Sequence, residues 1–233
     1  TASDLCLKSA EALLQKLAWN KEEINLLVFI SQTPDYKIPC TATILQHKLG
    51  LEKSCLAFDI NLGCSGYVYG LAVVGSLLEK VKGKALLLVG DASSTCINQK
   101  DKSTAPLFSD AGSATAMIYE NSAKAIYFNL QSDGSGFDAI ITKDGGARNP
   151  INENSFVFDQ DKGRRDIDMF LDGIKVFNFS RREVVRRSAN RPATHEKQAG
   201  PEEVGGCRGS QEGLYTFQQD EERRQQFTIF YIV

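Results

Sequence analysis

Cys64 is the side chain whose type and setting could carry chemistry. It stands in Asp59-Ile60-Asn61-Leu62-Gly63-Cys64-Ser65-Gly66, between an apolar run that reads as a strand and one that reads as a helix. A cysteine at the start of a helix faces backbone N–H groups without intrahelical partners and the positive end of the helix dipole. Both favour the thiolate, the nucleophilic form of the side chain. Gly63 and Gly66 leave the backbone open to an approaching substrate, and the same N–H groups could hold a developing oxyanion. The spacing suits an acyl-accepting nucleophile; a packed cysteine in a glycine turn would give the same spacing. A cysteine hydrolase or thioesterase would need a histidine base beside Cys64, and neither His47 nor His195 is placed by sequence to serve. The six cysteines (Cys6, Cys40, Cys55, Cys64, Cys96 and Cys207) show no C-x-x-C pairing of the kind that holds a metal. Their scatter over 233 residues argues against a disulfide framework, and most read as small buried hydrophobes. The separation of Cys55 from Cys64 fits no redox motif.

The elements that must position Cys64 are legible from periodicity. Leu5, Leu7, Ala10, Leu13, Leu14, Leu17 and Ala18 have helical spacing, with Ser3 or Asp4 as the cap. Residues 25–30, 55–60 and 85–90 are short apolar runs expected as buried strands, and residues 41–49 are expected as a helix ending at Gly50. Residues 67–78 are apolar almost all round, which predicts a helix buried on most sides. Residues 114–119 and 125–130 read as two further strands joined by a polar hairpin loop. Strand and helix alternate first and strands then follow one another, which predicts an α/β core with an antiparallel extension. Residues 132–161 are rich in Gly, Asp and Asn and read as a long surface loop, and helical spacing returns over 166–179. A formal charge of −2 gives no basic face for nucleic acid. No apolar stretch approaches bilayer-spanning length and no leader pattern is evident, so the chain reads as cytoplasmic.

The run AFDINLGCSGYVYGL (57–71) resembles the nucleophile segment of β-ketoacyl-ACP synthase III, in the thiolase-like superfamily. Upstream, SQTPDYKIPCTATILQHKLGL resembles the family's strand, proline-containing loop and helix. Downstream, residues 86–120 resemble its strand, linking loop and Phe-Gly-Asp-Gly-Ala-Gly segment, here Phe108-Ser109-Asp110-Ala111-Gly112-Ser113. Asp172-Gly173-Ile174-Lys175-Val176-Phe177 resembles the helix that opens its second half. The resemblance covers residues 1–180. It implies a layered α/β fold with a mixed sheet and a buried nucleophile-bearing helix, incomplete here at both ends. It implies an acyltransferase: an acyl group passes from acyl-CoA to Cys64 and is condensed with malonyl-ACP, with loss of carbon dioxide, in fatty-acid-type biosynthesis. No bound cofactor or metal is implied; acyl-CoA is a substrate. Leu107 and Phe108 would lie near the acyl and pantetheine channel, and Gly173 and Phe177 would line the same tunnel. Lys102 stands where the family often carries an arginine near the CoA adenine and phosphates; lysine keeps the charge but loses planar stacking and bidentate geometry. Ile38 would reach across a homodimer interface toward the partner's acyl pocket.

The pattern breaks in the C-terminal part. The family completes its site with a His and an Asn whose N–H groups stabilise the thioester carbonyl and the enolate. His47 reads as lying on a solvated helix face, His195 lacks the family's context, and no Gly-Asn-Thr turn is present. The chain is therefore expected to be impaired in condensation, the alternatives being a non-catalytic CoA-binding or dimerising remnant, or another thiolase-like acyl transfer. Residues 1–180 contain 15 Lys and 3 Arg, whereas residues 181–233 contain 1 Lys, 8 Arg and a single leucine, Leu214. The resemblance divides residues 1–180 into 1–160, an N-terminal thiolase-like half without its first strand, and 161–180, the start of a second half; the compositional shift sets off 181–233 as a tail of frameshifted or disordered character.

Overall fold

A computed structural model describes residues 1–121, 126, 128–160, 163–181, 212–215 and 227–232, the last two stretches as backbone. His195, Cys207 and the charged run 220–224 lie outside the described residues.

The described residues group into two units. The first is built on a six-stranded sheet of β1 (Ile24–Ile30), β2 (Leu56–Ile60), β3 (Lys84–Ala92), β4 (Asp110–Tyr119), β7 (Glu212–Tyr215) and β8 (Phe227–Ile232), in the order β2-β1-β3-β4-β8-β7. The β2, β1 and β3 strands are parallel; β4, β8 and β7 continue the sheet antiparallel. The parallel start follows from the crossover helices α2 (Thr41–Leu49) and α3 (Gly66–Val81), which return the chain to the same end of the sheet, with β2 and β3 on either side of β1.

Both faces of the sheet are covered, and this explains the unbroken apolar run of β1. Leu27 and Phe29 point into a cluster with α1 (Ala2–Leu17) and α2, including Cys6, Leu13, Leu45 and Leu49. Leu26, Val28 and Ile30 point to the other face, against Val74 and Leu78 of α3. Under α1 the sheet carries the paired glycines Gly90 and Gly112. A Cβ at Gly112 would lie 2.6 Å from the Cys6 backbone nitrogen, and one at Gly90 would lie 2.8 Å from the Cys6 sulfur. The bare backbone there lets α1 seat on the sheet.

Several expectations are corrected. The cap of α1 is Thr1, and the helix starts at Ala2. The β2 strand is an edge strand rather than a buried one, with Leu56 45% exposed, because only β1 flanks it among the described residues. In α3 burial follows one stripe, Gly66, Gly70, Val74, Gly75 and Leu78, while Val68 is exposed. Ile126 and residues 128–130 lie outside any strand. The neighbour of β4 is instead β8, with Ala114 opposite Ile232 and Tyr119 opposite Phe227.

The second unit contains the loop Ser94–Phe108 and, among the described residues, those from Ser132 to Arg181. Its regular elements are short: β5 (Ile140–Ile141) pairs with β6 (Phe170–Leu171), followed by α4 (Gly173–Phe179). The helix expected over 166–179 is therefore confined to its last seven residues, because Phe170 and Leu171 take an extended partner distant in sequence. Asp168 fixes the preceding turn. Its carboxylate accepts from the Arg165 backbone N–H (2.8 Å) and guanidinium (2.7 Å). Burial opposes its ionisation, but the bonds from Arg165 outweigh it and hold the Asp168 carboxyl below the ordinary range.

Candidate active site

The C-terminal ends of parallel strands are where open α/β sheets place their ligands, and Cys64 stands in the turn leaving β2 for α3. Its side chain is exposed. The turn is closed by the Gly66 N–H donating to the Gly63 carbonyl (2.7 Å), and Ser65 caps the helix with its carbonyl accepting from Tyr69 N–H (3.1 Å). Two close approaches seat this turn. A Cβ at Gly66 would lie 2.7 Å from Ile30 Cγ2 at the end of β1. A Cβ at Gly63 would lie 2.3 Å from Gln32 Oε1. Gln32 thus lies in the space that a larger residue 63 would fill, directly before the cysteine.

Burial separates the thiols. It pushes Cys6 up to about 12 and Cys55 up to about 11. Both are held protonated, the inert form, whereas Cys64 is open to solvent. No group of three or more metal-ligating side chains occurs among the described residues. No described helix is long and apolar enough to cross a membrane.

Two carboxylates bracket the loop that leaves β1. One Asp91 oxygen, at the end of β3, accepts from Ser31 Oγ (2.9 Å), Gln32 N–H (2.7 Å), Thr33 N–H (3.1 Å) and Thr33 Oγ1 (3.1 Å). Asp59, on β2, receives the Thr41 and Ala42 N–H groups at 2.6 Å each, satisfying the free start of α2. Between these clamps lies Ile38, 88% exposed. Neither aspartate stood out in the sequence; the available signal was a lone carboxylate at the end of each apolar strand, in Ala57-Phe58-Asp59 and Val89-Gly90-Asp91.

Comparison with known proteins places this geometry. Residues 58–134 match the model of the family described as 3-oxoacyl-[acyl-carrier-protein (ACP)] synthase III. A putative 3-oxoacyl-[acyl-carrier-protein] synthase 3 of Campylobacter jejuni is 36% identical over 182 residues, 76% of this chain and 51% of that protein. A β-ketoacyl-[acyl-carrier-protein] synthase III of Phocaeicola vulgatus is 35% identical over 148 residues, 62% of this chain and 44% of that protein. A crystal structure of a 3-oxoacyl-(acyl-carrier-protein) synthase III superposes with a TM-score of 0.76 at 36% identity, covering 81% of this chain and 58% of that one. These similarities support a partial segment of β-ketoacyl-ACP synthase III type. It spans about half the length of the curated relatives it matches. The mixed α/β sheet is that of the thiolase-like fold.

Of the residues singled out for this synthase III-type segment, Cys64 and Ile38 lie in the first unit; Lys102, Leu107, Phe108, Gly173 and Phe177 lie in the second. Lys102 is exposed in a turn clasped by Asp101, whose carboxylate accepts from Ser103 N–H (2.8 Å), Ser103 Oγ (2.6 Å) and Thr104 Oγ1 (2.7 Å). Burial opposes ionisation of Asp101, but these bonds and the Arg164 charge outweigh it and hold its carboxyl below the ordinary range. Leu107, 67% exposed, follows the same turn, and Phe108 is half-buried. Gly173 opens α4 behind the Asp172 cap, whose side chain accepts from Lys175 N–H (3.0 Å). A Cβ at Gly173 would meet only Leu171 at 3.7 Å, so packing alone does not demand glycine. Phe177 is 60% exposed on α4. Among the described residues the one histidine is His47, on the exposed face of α2.

Proposed function

We propose that this chain is an acyltransferase of the β-ketoacyl-ACP synthase III type, in which Cys64 takes the acyl group of acyl-CoA as a thioester. The observation that carries this is an exposed cysteine in the turn entering α3, at the C-terminal end of a parallel sheet, within the segment shared with synthase III proteins. The thiolate attacks the thioester carbonyl, the C–S bond to CoA breaks, and CoA leaves as its thiol on taking a proton. Backbone N–H groups at the start of α3 stabilise the oxyanion. Lys102 meets the CoA phosphates, and Leu107, Phe108, Gly173 and Phe177 line the acyl and pantetheine path. The acyl-enzyme then condenses with malonyl-ACP, releasing carbon dioxide, as a step of fatty-acid biosynthesis in the cytoplasm.

Condensation needs polar donors for the enolate, and His47 on the outside of α2 is not one. We therefore read the chain as impaired, with weak self-acylation at Cys64 and no efficient condensation. Ile38, with its neighbour Tyr36 62% exposed, forms an apolar loop that a homodimer would cover. We read residues 1–160 as the N-terminal half, 161–180 as the start of the second, and 181–233 as a stretch of separate origin, which sequencing across the codon of Arg181 tests.

Radiolabelled acyl-CoA, followed by a denaturing gel, tests the acyl transfer. Label retained on wild type and lost in Cys64→Ala is the expected result; label retained equally on Cys64→Ala overturns the assignment. Malonyl-ACP consumption by the labelled protein then reports condensation. In sedimentation, Ile38→Asp is expected to run as a monomer where wild type runs as a dimer, and a wild-type monomer contradicts the pairing.

A further inference from the structure

Asp91 makes no contact that a nucleophile would need directly, yet it spends one oxygen on four donors, all from Ser31, Gln32 and Thr33. Such concentration on three consecutive residues fixes the backbone of the turn after β1. Thr33 Oγ1 in turn accepts from Ala92 N–H (2.8 Å), tying the turn to β3 a second time. The middle residue, Gln32, is the one whose side chain lies against Gly63. Its own backbone N–H makes the shortest of the four bonds, 2.7 Å. The Cys64 turn therefore rests on a side chain whose backbone is anchored by one carboxylate from the next strand but one. A loose Gln32 would leave the Gly63–Cys64 peptide without its backing, since Gly63 has no side chain of its own to pack.

We propose that Asp91 is a positioning residue for Cys64, acting through the Ser31–Thr33 turn and the Gln32 side chain against Gly63. The proposal rests on the reading of Cys64 as the nucleophile. Asp91 acts through the turn: it sets where the sulfur stands relative to the N–H groups at the start of α3. Preorganisation of this kind is sensitive to shifts well below 1 Å.

The test is alkylation of the full chain by iodoacetamide, read at each cysteine by peptide mass spectrometry, in Asp91→Ala, Asp91→Asn, Gln32→Ala and the Asp91→Ala/Gln32→Ala double variant. Asparagine keeps the accepting oxygen, so Asp91→Asn is the conservative rescue. The expected result is a fall of about tenfold in the Cys64 rate in Asp91→Ala and in Gln32→Ala, no further fall in the double variant, and recovery in Asp91→Asn. Buried Cys6 and Cys55 stay unlabelled throughout, which separates positioning from general loosening. An unchanged or faster Cys64 rate in Gln32→Ala overturns the proposal, as do additive effects in the double variant. Labelling of Cys6 in Asp91→Ala, with Gln32→Ala unaffected, shows that Asp91 serves stability alone and equally overturns it. Gln32 is exposed, so its variant reports even where Asp91→Ala fails to fold. The same proteins treated with acetyl-CoA keep the two readings apart: no Cys64 acylation in wild type sinks the acyltransferase reading, while the iodoacetamide pattern still decides the role of Asp91.

Discussion

At the scale of single residues, the site is organised by what lies against two glycines. Gly66 faces Ile30 Cγ2 and Gly63 faces Gln32 Oε1. The consequences of substitution differ. Gln32 can swing its carboxamide away, whereas Ile30 is a buried, β-branched side chain with little freedom. Gly66→Ala is therefore expected to cost about 1–3 kcal/mol in chemical denaturation and to slow Cys64 acylation, whereas Gly63→Ala spares stability. Equal losses for the two would contradict this account. The aspartates give a second contrast. Asp59→Ala strips both N–H partners from the start of α2 and should cost about 1–3 kcal/mol. Cys64 was legible in the sequence because residue type, flanking glycines and the strand-to-helix boundary are all local. Asp59, Asp91 and Gln32 were not, because their roles are hydrogen bonds and contacts across 17 to 60 positions in the chain.

At the scale of elements, local periodicity was a good guide wherever burial alone decides structure. β1 and β3 are sandwiched between helices, so their unbroken apolar runs translate directly into strands. It failed where a distant partner decides. Phe170 belongs to a helical pattern with Ile167, Ile174 and Phe177, yet it pairs as a strand with Ile141. Likewise the sequence pattern pairs β4 with the stretch that follows it, whereas its partner on the side away from β3 is β8. That pairing makes a prediction: deleting residues 227–233 should raise hydrogen exchange at the amides of β4 that face β8 without changing those that face β3. Unchanged exchange on both sides would contradict the observed order. In the second unit, the turn before β6 depends on ionised Asp168. A carboxyl held below its unfolded value, about 3.9, contributes stability that is present above that value and lost as pH falls through the folded one. Melting of wild type should therefore drop more steeply below pH ~4 than melting of Asp168→Asn. Parallel curves would show that the Arg165 pairing adds nothing.

At the scale of the whole molecule, the chain combines a well-covered sheet with an apolar surface left open. Around the first unit the exposed apolar side chains are few, Tyr36 and Ile38 on one loop and Val68 on α3 among them. The second unit exposes Phe137, Ile151, Phe156, Val157, Ile174 and Phe177. Large exposed apolar patches mark surfaces that bind something. The central claim, that Cys64 accepts an acyl group, is tested most directly by incubating the full chain with acetyl-CoA and mapping the adduct by peptide mass spectrometry. One acetyl group on Cys64, removed by hydroxylamine and lacking in Cys64→Ala, is the predicted result; an unmodified Cys64, or an adduct spread over Cys40 and Cys96, would contradict it.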